Sequence, residues 1–333
     1  MKKLSRLSAL FVLAAVLLSG CWRRHGHAIE AAYVSAPQAI LRDHMSAVFN
    51  KTGVVKNGDR VEVLEKDRRF ARIRTAKGEE GWIEQRYLVS QQVFDGFQKL
   101  AQQEQNDPQQ AAGTTRNDTN LHLTPGRDTD HLFQLNEGAK LALMKRATVD
   151  KVLPGGVKPT VEDGKAVPME DWWLIRDAQG HVGWVLARMI DVDVPLEIAE
   201  YAEGQRMVSV SVLDQVPDGD KKVPQYVVAL TEPKDGLPFD FNQVRVFTWN
   251  AKRHRYETAY REHDLNGVLP LTVAQENFDK EGVLPVFIVR VKDDAGNVSE
   301  RKYKLNTPIV KRVLAPGEAP SPAHQKSRHP VSR

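Results

Sequence analysis

The chain repeats itself. Ile73, Arg74, Ala76, Gly78, Gly81, Trp82 and Arg86 recur 102 positions later as Ile175, Arg176, Ala178, Gly180, Gly183, Trp184 and Arg188. Upstream, the run from Gly58 to Leu64 parallels that from Gly138 to Met144 at an offset of only 80, so the second copy carries an insertion of about 22 residues. Pro154-Gly155-Gly156 and Asp163-Gly164 place that insertion at a hairpin tip. Self-similarity of this kind means one supersecondary unit used twice. Each copy reads as a strand starting at its first Gly, a hairpin, a second strand, a tight turn at Lys77-Gly78 or Gln179-Gly180, and a last strand opening on Gly-Trp. Alternation at Val61 and Val63, and at Leu141 and Leu143, turns one face of the first strand inward.

A unit of about 60 residues has a small core, and closing its sheet removes edges that would otherwise pair with other chains. The stretch from Arg69-Phe70-Ala71 through Gly81-Trp82-Ile83 to Tyr87-Leu88 resembles the closing half of a bacterial SH3 (SH3b) domain, and Trp172 through Arg188 resembles it equally well. The resemblance covers residues 30–90 and 118–192, about half of the chain after residue 20, and implies two SH3-like small barrels that bind peptidoglycan or protein partners. The first half of each copy departs from the family pattern. Ala39 to Asp43 and Thr119 to Leu123 stand where the family has a longer conserved run, so a peptide groove built from the early loop is not expected.

Trp82 and Trp184 are candidates for ligand contact, although a Trp that opens a closing strand is expected to plug the core. Trp172, Trp173 and Tyr87 are better candidates for a binding surface. Neighbouring residues on a strand point to opposite faces, so one of Trp172 and Trp173 is expected to look outward.

Residues 1–20 combine Lys2, Lys3 and Arg6 with an unbroken apolar run from Ala9 to Leu18, followed by Leu18-Ser19-Gly20-Cys21. Ten apolar residues are too few to cross about 30 Å of hydrocarbon, so the segment reads as an export signal. It resembles the lipobox of bacterial lipoproteins, which implies cleavage before Cys21 and acylation of that residue. A lone exported cysteine has no disulfide partner, which fits lipidation. By the same resemblance, Trp22 stands where inner-membrane retention usually has Asp, pointing to the periplasmic face of an outer membrane. The formal charge of +4 is concentrated at the two ends, leaving −3 for residues 21–310, so a nucleic-acid partner is not expected.

Residues 21–29 read as an anchor linker. Val93, Phe94, Phe97, Leu100 and Ala101 share one helical stripe, so 91–117 read as an amphipathic helix packed on a barrel, followed by a polar linker. The second repeat occupies 118–192 with its hairpin insertion at 147–170, and 193–206 read as a linking helix. From 207 to 313 seven strands separated by Pro, Asp and Gly turns favour an immunoglobulin-like β-sandwich, and 314–333 read as a disordered tail. The expected class is therefore mainly β: two SH3-like small barrels followed by an immunoglobulin-like β-sandwich, with short linking helices.

No catalytic constellation emerges. A wall-type cysteine peptidase needs a thiol beside a His, and Cys21 serves the anchor. A zinc site needs three ligands. His254 and His263 have no ligand spacing, and His25 and His27 are only two. Asp293 to Asn297 lack the alternating ligands of a calcium loop. Neither a metal nor a cofactor is expected. The expectation is a non-enzymatic, lipid-anchored envelope protein, with a cell-wall hydrolase or its accessory subunit, and a stress or assembly scaffold binding only proteins, as the alternatives.

Overall fold

The computed structural model describes residues 27–152, 167–314 and 317. The export segment, Cys21, the hairpin tip at 153–166 and almost all of the expected tail lie outside the described residues. The chain forms two units, Met1–Gln91 and Gln92–Arg333. Among the described residues no helix is long and apolar enough to cross a membrane.

The first unit is one antiparallel sheet of seven strands. These are β1 (Glu30–Val34), β2 (Gln38–Arg42), β3 (Lys51–Lys56), β4 (Arg60–Asp67), β5 (Phe70–Thr75), β6 (Glu80–Glu84) and β7 (Leu88–Ser90), in the order β3-β2-β6-β5-β4-β1-β7. Val34, Leu41, Val55, Val61, Val63, Ile73 and Ile83 come from six of these strands into a single cluster, so the sheet curls round its own core. Period-two alternation supplies them: in β4 Val61 and Val63 are buried while Glu62 and Leu64 are not.

In the second unit β8 (Ala111–Thr115), β9 (Thr119–His122), β10 (His131–Leu135), β11 (Lys140–Asp150), β12 (Met169–Asp177), β13 (Val182–Leu186) and β14 (Ile190–Asp193) adopt the order β10-β9-β13-β12-β11-β8-β14. Each strand has its counterpart seven places earlier. The bulge between Val63 and Glu65 recurs between Leu143 and Lys145, and Leu41, Val61, Val63, Ile73 and Ile83 have buried equivalents in Leu121, Leu141, Leu143, Ile175 and Val185. The internal repeat is thus a repeat of topology and of core. One boundary shifts: β8 lies within the stretch expected to be linker, because Ala111 and Gly113 pair with β11 and close the sheet.

Gly81 and Gly183 explain the Gly-Trp signature. Both are buried where the closing strand crosses β2 or β9, and a Cβ on Gly183 would lie 2.5 Å from Leu121 Cγ and 2.8 Å from the carbonyl oxygen of His122. On Gly81 it would lie 2.8 Å from Leu41 Cβ and 3.0 Å from the Arg42 carbonyl oxygen. Glycine takes the inward position because nothing larger fits. The residue after it must then face out, so Trp82 and Trp184 are half-buried and do not plug the core; Ile83 and Val185 do.

Helix α1 (Gln91–Gln103) lays Leu100 and Ala101 against Met144, Leu174 and Val182 of the second sheet, and Phe97 meets Phe133 edge to face at 5.5 Å. Beyond the sheet come a one-turn helix α2 (Leu196–Ala199) and eight strands. These are β15 (Arg206–Asp218), β16 (Lys221–Thr231), β17 (Gln243–Asn250), β18 (Arg255–Glu262), β19 (Gly267–Asn277), β20 (Val283–Lys292), β21 (Val298–Asn306) and β22 (Ile309–Val313). They form two four-stranded sheets, β15-β16-β17-β18 and β19-β20-β21-β22, each in simple sequence order. This corrects the immunoglobulin-like expectation. That fold interleaves its strands between sheets, whereas here each sheet is built only from strands consecutive in the chain. Glu262 links the two sheets, accepting hydrogen bonds from Tyr260 (2.8 Å), Tyr303 (2.6 Å) and Arg301 (2.8 Å). Burial and the adjacent Glu262 carboxylate push the Tyr260 and Tyr303 hydroxyls well above the usual phenol range.

The second sheet and the strands that follow it share buried polar contacts. The fully buried Gln110 accepts a hydrogen bond from the Leu271 N–H through its side chain and from the Val210 N–H through its backbone. Arg146 donates to Asp171 at 2.5 Å and to the Asp240 carbonyl at 2.7 Å, and Asp171 also accepts from Thr148 and from the backbone N–H of Gly236.

Candidate functional site

A cleft of about 550 Å³ opens on the second sheet, lined by strands β9 and β10, the loop between them and the ends of β12 and β13. It is built from the half of the repeat that departs most from the family pattern. His122 ends β9 and His131 begins β10, and the two are direct cross-strand partners with rings 5.5 Å apart. A bulge between His131 and Gln134 loosens that hairpin at the mouth of the cleft. The Thr129 hydroxyl donates to loop carbonyls at Thr124 or Gly126, both 2.8 Å away, and its oxygen lies 3.0 Å from His122 Nδ1. Burial, reinforced by repulsion from His131, lowers the pKa of His122 to about 4, so the ring is neutral at pH 7.

Trp172 forms the floor. Its ring meets His122 edge to face at 5.1 Å, and its buried Nε1–H has no acceptor among the described residues. Leu186 and Met189 extend the apolar side of the cleft. Arg127 donates from Nε to Glu170 at 2.8 Å and from Nη2 to the same carboxylate, pinning the loop to β12 and neutralising the single arginine of the cleft. Asp118 and Asp128 stand exposed at the rim.

The corresponding place in the first sheet is filled. Arg42 lies across the ladder from Trp82 as His122 does from Trp184, and Phe70 lies opposite Glu84 as Trp172 does opposite Leu186. There the Arg42 guanidinium covers Phe49 at 4.3 Å and Phe70 at 5.5 Å, with the Glu84 carboxylate 3.9 Å away. A long cation occupies the position that a shorter imidazole leaves open.

The five aromatic candidates do not form one surface. Trp172 and Trp173 are both buried, contrary to the expectation that one looks outward. They do face opposite ways: Trp172 meets His122 edge to face at the floor of the cleft, and Trp173 is covered by Arg146, whose guanidinium lies 5.6 Å from its ring centre and also reaches Asp240. Trp184 packs on Met144, Leu174 and Val182, the same cluster that receives Leu100 and Ala101 of helix α1. Tyr87 packs on the core of the first sheet and takes a hydrogen bond from Arg86 at 2.9 Å. His122, His131, Arg127, Asp118 and Asp128 were not singled out in the sequence. Position-by-position comparison of the copies at offset 80, which sets His122 against Arg42, carries that signal.

His254 contacts Asp218 at 3.2 Å and His263 contacts Gln243 at 2.8 Å. Among the described residues no three His, Cys, Asp or Glu side chains gather as a metal site.

Residues 38–89 match the bacterial SH3 domain family. This SH3 domain comprises β2 to β7 of the first sheet, and β1 completes it by pairing with both β4 and β7. No curated protein matches the chain. Among solved structures it is similar to an NlpC/P60 family protein from Bacillus cereus, with 11% identity and TM-score 0.24 over 50% of this chain and 58% of that one. It is also similar to NlpC2 from Trichomonas vaginalis (9%, TM-score 0.17, 70% and 93%) and NlpC1 from the same organism (9%, TM-score 0.17, 71% and 88%). At such low TM-scores nothing about the chemistry of this chain follows from them.

Proposed function

We propose that this chain is a non-catalytic binding protein of the bacterial envelope. Acyl chains on Cys21 hold it to the periplasmic face of an outer membrane, and two SH3-like barrels with a following two-sheet β-sandwich project into the space beyond. The single observation that carries the binding role is the cleft over Trp172. At about 550 Å³ it is the size of a pocket for a small molecule or a few residues of peptide, whereas a stable protein interface needs about 800 Å² from each partner. Peptidoglycan, which offers short peptide stems and amino sugars, suits it better than a folded partner.

The test is cosedimentation of the purified protein with isolated sacculi. Saturable retention supports the reading; absence of retention, with capture of an envelope protein instead, replaces it with a protein-binding scaffold. Release of soluble muropeptides by the protein alone would establish an enzyme and overturn it. Palmitate incorporation that disappears in Cys21→Ala tests the anchor.

A further inference from the structure

Resting on the wall-binding reading, we propose that recognition is confined to the second of the two repeats, and that the group its cleft seats is a primary ammonium next to a peptide carbonyl. The two copies share strand order, bulge and core, so a difference at one equivalent position is a difference of use. In the first, Arg42 fills the position over Phe70 and Phe49. In the second, His122 stops short and the cleft opens above Trp172.

The chemistry of the lining selects the ligand. Asp118 and Asp128 bring two carboxylates to the rim. Arg127 is already bound at two points by Glu170, so it has little to offer an anion. Phosphate and carboxylate ligands would meet net negative charge. An ammonium brings three donors and no acceptor, and it meets carboxylates at the rim and the uncharged ring of His122 in the wall. An aromatic floor adds to the attraction for a cation. Trp172 Nε1–H is a donor buried without an acceptor, a state that costs free energy until something accepts from it. A peptide carbonyl one bond from the amine-bearing carbon supplies that acceptor, which is why the ligand is an aminoacyl amide and not a simple amine.

The test uses the full chain in detergent and two probes, the tripeptide amide Ala-Ala-Lys-NH2 and the same peptide acetylated on both amines. Titration is followed by calorimetry and by the indole N–H resonance of Trp172, identified by its loss in Trp172→Phe. The amine form is expected to bind and to shift that resonance. Acetylation, or the pair Asp118→Asn with Asp128→Asn, is expected to weaken binding about tenfold or more. Arg42→Gln should leave it unchanged. Equal binding of the two peptides, failure of the amine form to bind at millimolar concentration, or loss of binding in Arg42→Gln would each overturn the proposal. If sacculi still retain the protein in those cases, the wall-binding reading stands and the cleft assignment alone falls. If retention by sacculi is also absent, the wall-binding reading falls with it.

Discussion

Arg42 and His122 occupy equivalent places in the two sheets, each directly across the ladder from the Trp of a Gly-Trp strand. The first is stacked over two phenylalanine rings beside Glu84, and the second leaves room for a ligand. His122→Arg should therefore close the cleft and abolish retention by sacculi. Alone it buries a cation with Leu186 where the first sheet has Glu84, and a loss of about 1–3 kcal/mol in urea unfolding is expected. Adding Leu186→Glu recreates the Arg42–Glu84 arrangement and should recover most of that stability without recovering binding. Recovery of binding in the double variant would break the equivalence.

His122 also sets an acid sensitivity. Its pKa is about 4 in the folded chain against an ordinary 6.5, because burial and His131 both disfavour the charged ring. Between pH 6.5 and 4 the unfolded chain takes up a proton that the folded chain refuses, so stability falls as pH falls through this window and levels off below it. Linkage puts the loss near ~3 kcal/mol. Comparing urea midpoints at pH 7 and pH 4.5, His122→Gln should lose less stability on acidification than the parent. An unchanged difference between the two pH values would show that the ring is not held neutral.

The glycines of the repeat signature are a steric matter. Gly183→Ala drives a methyl group against Leu121 and, at 2.8 Å, the backbone oxygen of His122; Gly81→Ala drives it against the Thr52 hydroxyl, Leu41 and, at 3.0 Å, the Arg42 oxygen. Backbone cannot swing aside as a side chain can, so each change should cost about 1–3 kcal/mol, with Gly183→Ala the more damaging. Thermal unfolding of the two variants checks the order. Changes of Gly78 or Gly180 to Ala meet no atoms within 4 Å and act only through their left-handed backbone.

Much of this architecture was legible as pattern. The offsets of 102 and 80 match equivalent strands, and Val61, Val63, Leu141 and Leu143 lie in the cores as alternation requires. What escaped were properties set by distant contacts. Trp173 looks like an exposed aromatic until Arg146, held by the Asp240 carbonyl, covers it. Gln110 looks like linker until its amide oxygen accepts from Leu271, far along the chain. Seven strand positions in the C-terminal part were readable, but the eighth, β22, and the pairing order were not, since local alternation is the same in a meander and in an interleaved sandwich. The cleft was hidden for a different reason. Its residues are the ones in which the second copy ceases to resemble the first, and a search for similarity passes over them.

Asp171 ties the second sheet to the strands beyond it. Its carboxylate is 1% exposed, accepts from Arg146 and Thr148 on β11, and also accepts from the Gly236 N–H at 3.1 Å in the loop before β17. Asp171→Asn removes the charge that balances a buried guanidinium, and a loss of about 3–5 kcal/mol is expected. The location of that loss is the more telling observable. Because Asp171 and Arg146 both reach residues 236–240, their uncoupling should expose the amides of that loop to hydrogen exchange while β5 and β6 of the SH3 domain keep their protection. Calorimetry should then resolve a separate, earlier transition for the two C-terminal sheets. A single shifted transition, with protection lost evenly through residues 92–313, would show that the pair stabilises without joining the two parts.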